Sequence, residues 1–156
     1  MSNEKIQLNV PSASLVPLIE EQLSEGKTVK FAPKGTSMLP LLREGRDTVT
    51  LCAINRPLEK YDIGFYRRQN GQYVLHRIVD IKDTVTCCGD GQFWLEKGLL
   101  PSQFIGVVCA FSRDNKTYSV TSWSYKFYCR IIHFSRPLRH FISRATAKLK
   151  KILKGG

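Results

Sequence analysis

A chain of 156 residues has room for one domain with a real core and not comfortably for two. At 42% hydrophobic it lies in the ordinary globular range, which excludes wholesale disorder. The formal charge of +11 is unevenly placed: residues 1–112 carry 13 basic and 12 acidic side chains, residues 113–156 carry 11 basic and one acidic. This splits the chain into a near-neutral body, 1–112, and a basic tail, 113–156, suited to an anionic partner.

The N-terminal MSNEKIQLNV has no basic segment followed by an apolar one, so no leader peptide is expected. Residues 12–25, SASLVPLIEEQLSE, have the pattern of a short helix: Ser14 as cap, Pro17 in the first turn, a stripe of Leu15, Leu18, Ile19 and Leu23, and Gly26 as stop. The period then changes to two. Strands are expected at Thr28–Ala32, Thr48–Cys52, Ile63–Arg67, Tyr73–Asp80, Thr84–Cys88 and Phe104–Phe111. Turn residues at Glu44-Gly45, Asn55-Arg56-Pro57, Asn70-Gly71, Asp90-Gly91 and Leu100-Pro101 separate them, with Asn70-Gly71 the strongest hairpin signal. The expected fold is mainly β: a compact, coiled sheet with a short N-terminal helix and a helical C-terminal tail.

Residues 113–120 read as a last hairpin arm or a linker. Beyond them Trp123, Phe127 and Ile131 fall four apart, as do Leu138 and Ile142, and Ala145, Leu149 and Leu153 continue the stripe. Lys126, Arg130, Arg139, Arg144, Lys148 and Lys151 supply charge, and Pro137 is expected to divide the segment in two. An apolar stripe beside a Lys/Arg face suits a helix lying in an anionic membrane interface over residues 123–154; docking on the body or on an acidic partner are the alternatives. Nucleic acid fits less well, because the aromatics follow a helical stripe. No stretch reaches 18 apolar residues, so no membrane-spanning helix is expected. The C-terminal Gly155-Gly156 reads as a frayed end.

Five cysteines (52, 87, 88, 109, 129) include no C-x-x-C pair, so neither a metal site nor a redox pair is indicated, and core thiols in a reducing compartment are expected. Two of the three histidines lie in the tail. The third, His76, falls on the more apolar parity of YVLHRIV. There it is either a satisfied core residue or an uncharged base for a hydroxyl. Ser37, in FAPKGTSMLPLL, would need such a base, since a lone serine hydroxyl is a poor nucleophile.

Four segments together resemble the type I signal peptidases and their soluble relatives, the self-cleaving repressor peptidases. PKGTSMLPLLREGRD is similar to the G-x-S-M-x-P nucleophile box, YDIGFYRR to the Gly-Asp-Ile box, YVLHRIVDI to the base box, and CCGDGQFWLEKGLLPSQFIGVV to the late Gly-Asp box with its closing strand. The resemblance covers about residues 28–110 in the correct order.

It implies that Ser37 is the nucleophile, Met38 the residue packed beneath it and Pro40 the proline that turns the chain. His76 stands where bacterial enzymes carry a lysine and where endoplasmic-reticulum and archaeal forms carry a histidine. The acid that would orient the imidazole is open between two residues: Asp90, matching the Gly-Asp box and read first as a site-shaping residue or substitute orienter, and Glu96, six positions on. Gly35 replaces a serine that helps to bind the oxyanion, so stabilisation would rest on backbone donors near Gly35, Thr36 and Ser37. Gly45-Arg46-Asp47 is one residue longer than the usual Gly-Asp, Tyr61 replaces a glycine, and the usual preceding transmembrane helix is absent. The implied activity is a cofactor-free serine endopeptidase acting on an extended peptide or protein segment, cytoplasmic and peripheral at the inner membrane face. A non-catalytic peptide-binding module is the alternative. A self-cleaving regulator ranks last, because residues 1–36 contain neither Ala-Gly nor Cys-Gly.

Overall fold

The computed structural model describes residues 7–9 and 13–154. Gly155 and Gly156, the first six residues, and the side chains of Ala145, Lys148, Leu149, Lys151 and Leu153 in the sequence-read stripe lie outside the described residues.

The fold is mainly β, one nine-stranded sheet among the described residues: β1 (Gln7–Asn9), β2 (Val29–Ala32), β3 (Asp47–Cys52), β4 (Ile63–Arg67), β5 (Tyr73–Ile81), β6 (Val85–Cys88), β7 (Glu96–Leu99), β8 (Phe104–Arg113) and β9 (Lys116–Ser119). The order is β1-β2-β3-β8-β4-β5-β6-β7, with β9 also paired to β8. Only β1–β2 is parallel. The long β8 serves both halves, pairing β4 through Phe104–Val107 and β3 through Val107–Arg113. A short helix, α1 (Val16–Ser24), buries Val16, Ile19 and Leu23 against the sheet. Its first turn begins at Leu15 without a side-chain cap, and Ser14 lies in a preceding 3-10 turn.

The Asn70-Gly71 hairpin forms as expected. Arg67 pairs with Tyr73, Gly71 adopts φ +84°, and the Asn70 side chain accepts the Gln72 N–H at 3.1 Å. The pattern missed β7, because Glu96, Lys97 and Gly98 show no alternation of apolar residues and Gly98 takes a left-handed φ of +77°. Tyr61 has φ +81°. An L side chain costs about 1–2 kcal/mol there, and the conformation is held by hydrogen bonds from its N–H to the Ile78 carbonyl and from Arg77 to its own carbonyl.

Two sequence expectations are corrected. Cys52 and Cys109 are joined by a disulfide, because adjacent β3 and β8 bring them together at a register shift; Cys87, Cys88 and Cys129 are free and buried. Residues 113–120 finish β8 and form β9, and a single helix, α2 (Trp123–Lys154), follows. Pro137 lies inside it and does not divide it; about a turn earlier, the Ser135 and Arg139 side chains donate to the Ile132 carbonyl. The inner face of α2 is docked on the body, burying Tyr125, Cys129 and Ile132.

What fastens it is Arg77, fully buried on β5. Its guanidinium makes two 2.7 Å bonds to Asp90 and also donates to Tyr125 Oη at 2.8 Å and Cys129 Sγ at 3.0 Å. Tyr128 and Arg139 of α2 donate to the Asp90 carboxylate and carbonyl. No described helix is long and apolar enough to cross a membrane.

Candidate active site

Ser37 sits half-buried in the loop between β2 and β3. The loop is shaped by Gly35 at φ +81°, by the Leu39 N–H bonding back to the Thr36 carbonyl, and by Pro40. Met38, Leu41 and Leu42 anchor it from below as buried core residues. The segment 89–91 clamps it from the side. The Gly91 N–H donates to the Ser37 carbonyl at 2.8 Å, and a Cβ on Gly89 would lie 2.3 Å from that oxygen. At residues 89 and 91 the loop of Thr36, Ser37 and Leu39 occupies the space a side chain would need.

His76 is 4% exposed on β5. The β5–β6 ladder ends with Arg77 opposite Cys88, so His76 lies one residue beyond its end, and Gly89, against which Ser37 is pressed, directly follows Cys88. Among the described residues no hydrogen bond joins Ser37 to His76, and Nε2 of His76 makes none. Nδ1 is engaged: it lies 3.3 Å from Tyr66 Oη, which donates its proton to Glu96 Oε2 at 2.8 Å. A phenol has one proton. With that proton on Glu96, the Tyr66 oxygen can only accept from His76, so Nδ1 carries the hydrogen and Nε2 is the bare, basic nitrogen.

The charges around this relay favour a neutral imidazole. Burial, then the nearby Arg68 guanidinium, pull the His76 pKa down to about 4, against the opposing pull of Glu96 and Asp90. Burial raises the Tyr66 phenol well above its ordinary range and keeps it protonated. Burial would raise Glu96, but hydrogen bonds from Arg68, at 2.7 and 2.6 Å, and from Tyr66 outweigh it and hold the carboxyl below its usual value.

The two candidate acids therefore separate. Asp90 is committed to Arg77 and Tyr128 and stands between the two glycines that pack against the Ser37 loop. Glu96, on β7, lies 3.8 Å from His76 Nδ1 and acts on it through Tyr66. Gly35 is withdrawn from the oxyanion set, because its N–H donates to Glu44 at 2.8 Å. The N–H groups of Thr36 and Ser37 donate to no group among the described residues. Sequence reading missed Tyr66, Arg68 and Arg77. The hairpin register carried a signal for the first: with Gly64 opposite His76 and Tyr66 opposite Val74, Tyr66 and His76 share a face.

Beside Ser37 opens an apolar pocket of ≈ 180 Å³ lined by Phe31, Met38, Leu42, Phe65, Tyr73 and Leu75. The first residues of β5, Tyr73–His76, pair only with β4, leaving their other backbone edge free next to it. The described residues contain no cluster of His, Cys, Asp and Glu able to hold a metal. No family model, no curated protein and no solved structure matches this chain.

The tautomer assignment predicts a spectroscopic result. Nitrogen NMR of the imidazoles at pH 7 should give His76 as the Nδ1–H form, and Tyr66→Phe should mix the two tautomers. A protonated Nε2 in the unchanged protein would contradict the assigned relay.

Proposed function

We propose that the protein is a serine endopeptidase of the signal-peptidase-like class, with Ser37 as nucleophile and His76 as base. The observation that carries this reading is a buried, neutral histidine, engaged by Tyr66 through Nδ1 and set at the end of the strand ladder whose next segment, Gly89–Gly91, clamps the Ser37 loop. An extended peptide adds as a strand along the free edge of Tyr73–His76 and places one apolar side chain in the adjoining pocket.

Ser37 Oγ then attacks the scissile carbonyl as its proton passes to His76 Nε2. The N–H of Ser37, with that of Thr36, receives the developing oxyanion. The imidazolium is disfavoured by burial, and Glu96 acting through Tyr66 offsets part of that cost. It gives its proton to the departing amine, and water releases the acyl group from Ser37. The free structure lacks the Ser37–His76 hydrogen bond, and such bonds commonly tighten only with substrate in place.

Because His76 must be neutral to act, the acid limb of kcat/KM should fall near pH 4, not near the ordinary histidine value. Activity is present above that limb and lost as pH falls through it. Cleavage of a diverse peptide mixture, followed by mass spectrometry across the pH range, tests both points. New termini at pH 5 and above, declining near pH 4, are expected; a limb at the ordinary histidine value would overturn the electrostatic account.

The second reading is a peptide-binding module with the same groove. It is favoured by the absent Ser37–His76 bond, and it predicts binding without new termini at any pH. Location follows from the cysteine chemistry. A disulfide persists where thiols are not kept reduced, so the cytoplasmic placement expected from the sequence requires the Cys52–Cys109 pair to open there.

A further inference from the structure

The outward face of α2 carries a run of exposed large apolar side chains with no covering element among the described residues. At about 100° per residue, Trp123, Phe127, Phe134, Leu138, Phe141 and Ile142 fall within one arc of about 100°. All are more than half exposed, with Trp123 at 79% and Phe134 and Phe141 at 72%. Lys126, Arg130 and Arg144, also exposed, run along one edge of this arc. The docked residues Tyr125, Cys129 and Ile132 occupy the far side of the helix. The exposed stripe and the docked residues therefore lie on opposite sides of α2.

Charge selects the occupant. The helix carries nine Lys and Arg and no Asp or Glu. Pairing two copies through this stripe would bring together two helices that hold no acidic residue, leaving the basic edge of each unneutralised. A nucleic acid would neutralise the charge but leave Leu138 and Ile142 against phosphate and sugar. An anionic bilayer satisfies both: headgroups neutralise the basic edge, and the aromatic and aliphatic side chains enter the acyl boundary.

We infer that α2 is a membrane-docking helix, lying in the plane of an anionic lipid surface with its outer stripe inserted and the β body held on the water side. This stands independently of the peptidase reading, since none of the stripe residues belongs to the site.

The test uses the full chain carrying Trp94→Phe, so that Trp123 is the only tryptophan reporter. With vesicles of phosphatidylglycerol and phosphatidylcholine, Trp123 emission should shift to the blue and the protein should co-sediment. Phosphatidylcholine alone should bind at least about tenfold more weakly, as expected when several basic residues each contribute about 1 kcal/mol at an anionic surface. Phe134→Asp combined with Phe141→Asp should abolish binding with an unchanged unfolding midpoint, and Lys126→Glu should weaken it several-fold. Undiminished binding by the double Asp variant would overturn the inference. So would the absence of vesicle binding alongside a concentration-dependent dimer, which would make a second copy the occupant. Tight binding to duplex nucleic acid without binding to vesicles would also overturn it.

Discussion

Asp90→Ala should lower the unfolding free energy by about 3–5 kcal/mol, because it strands a fully buried guanidinium without its carboxylate. The loss should exceed that of a surface ion-pair variant such as Lys82→Ala, whose pair is exposed on both sides and contributes about 0–1 kcal/mol. The mirror substitution, Arg77→Met, should be costly as well. Combining it with Asp90→Leu should recover most of the loss, since an apolar pair of similar size leaves no unpaired charge. Denaturant titration of the four proteins measures this directly. A loss under about 1 kcal/mol for Asp90→Ala would mean that water or rearrangement reaches Arg77, and the tie between α2 and the sheet would have to lie elsewhere.

Gly89→Ala should have its main effect on turnover. The added methyl would stand 2.3 Å from the Ser37 carbonyl oxygen and 3.0 Å from its carbon, both backbone atoms that cannot rotate away. The nucleophile loop must therefore move, and misplacement on the order of 1 Å costs about 100-fold in rate. The expected result is a kcat/KM lowered by about that factor, with kcat carrying most of it. An alanine variant with full activity would show that the contact between Ser37 and Gly89 does not position the nucleophile.

How much of this was legible beforehand depended on the range of the interactions. The strands from Ile63 to Cys88 follow from alternation and from the Asn70-Gly71 turn, both local signals. His76 on the buried parity follows in the same way, whereas Met38 as a buried support was implied by the resemblance of its segment. What stayed hidden is set by partners distant in sequence. Asp90 read as a candidate orienter because its match lies beside a glycine, yet the residue that claims it, Arg77, is thirteen positions away and faces α2. Glu96 lies on β7, a strand too short and irregular to announce itself, and its hydrogen bond toward His76 runs through Tyr66, thirty positions earlier. The Cys52–Cys109 bond spans 57 residues and follows from the pairing of β3 with β8, which no periodicity specifies. The docking of α2 was legible only as one alternative, for a related reason. Its inner face is anchored by Tyr125, Tyr128 and Arg139 through polar contacts, and the stripe that dominates its sequence is the one that remains uncovered.

The measurement that tests the central claim most directly compares the unchanged protein with Ser37→Ala on whichever peptide the mixture shows to be cut. Ser37 Oγ makes no hydrogen bond among the described residues, so its removal should leave the unfolding midpoint in place. The account predicts at least about a 1000-fold loss of cleavage, the scale expected for removing a serine nucleophile, with peptide affinity retained. Cleavage at an undiminished rate by folded Ser37→Ala would contradict it.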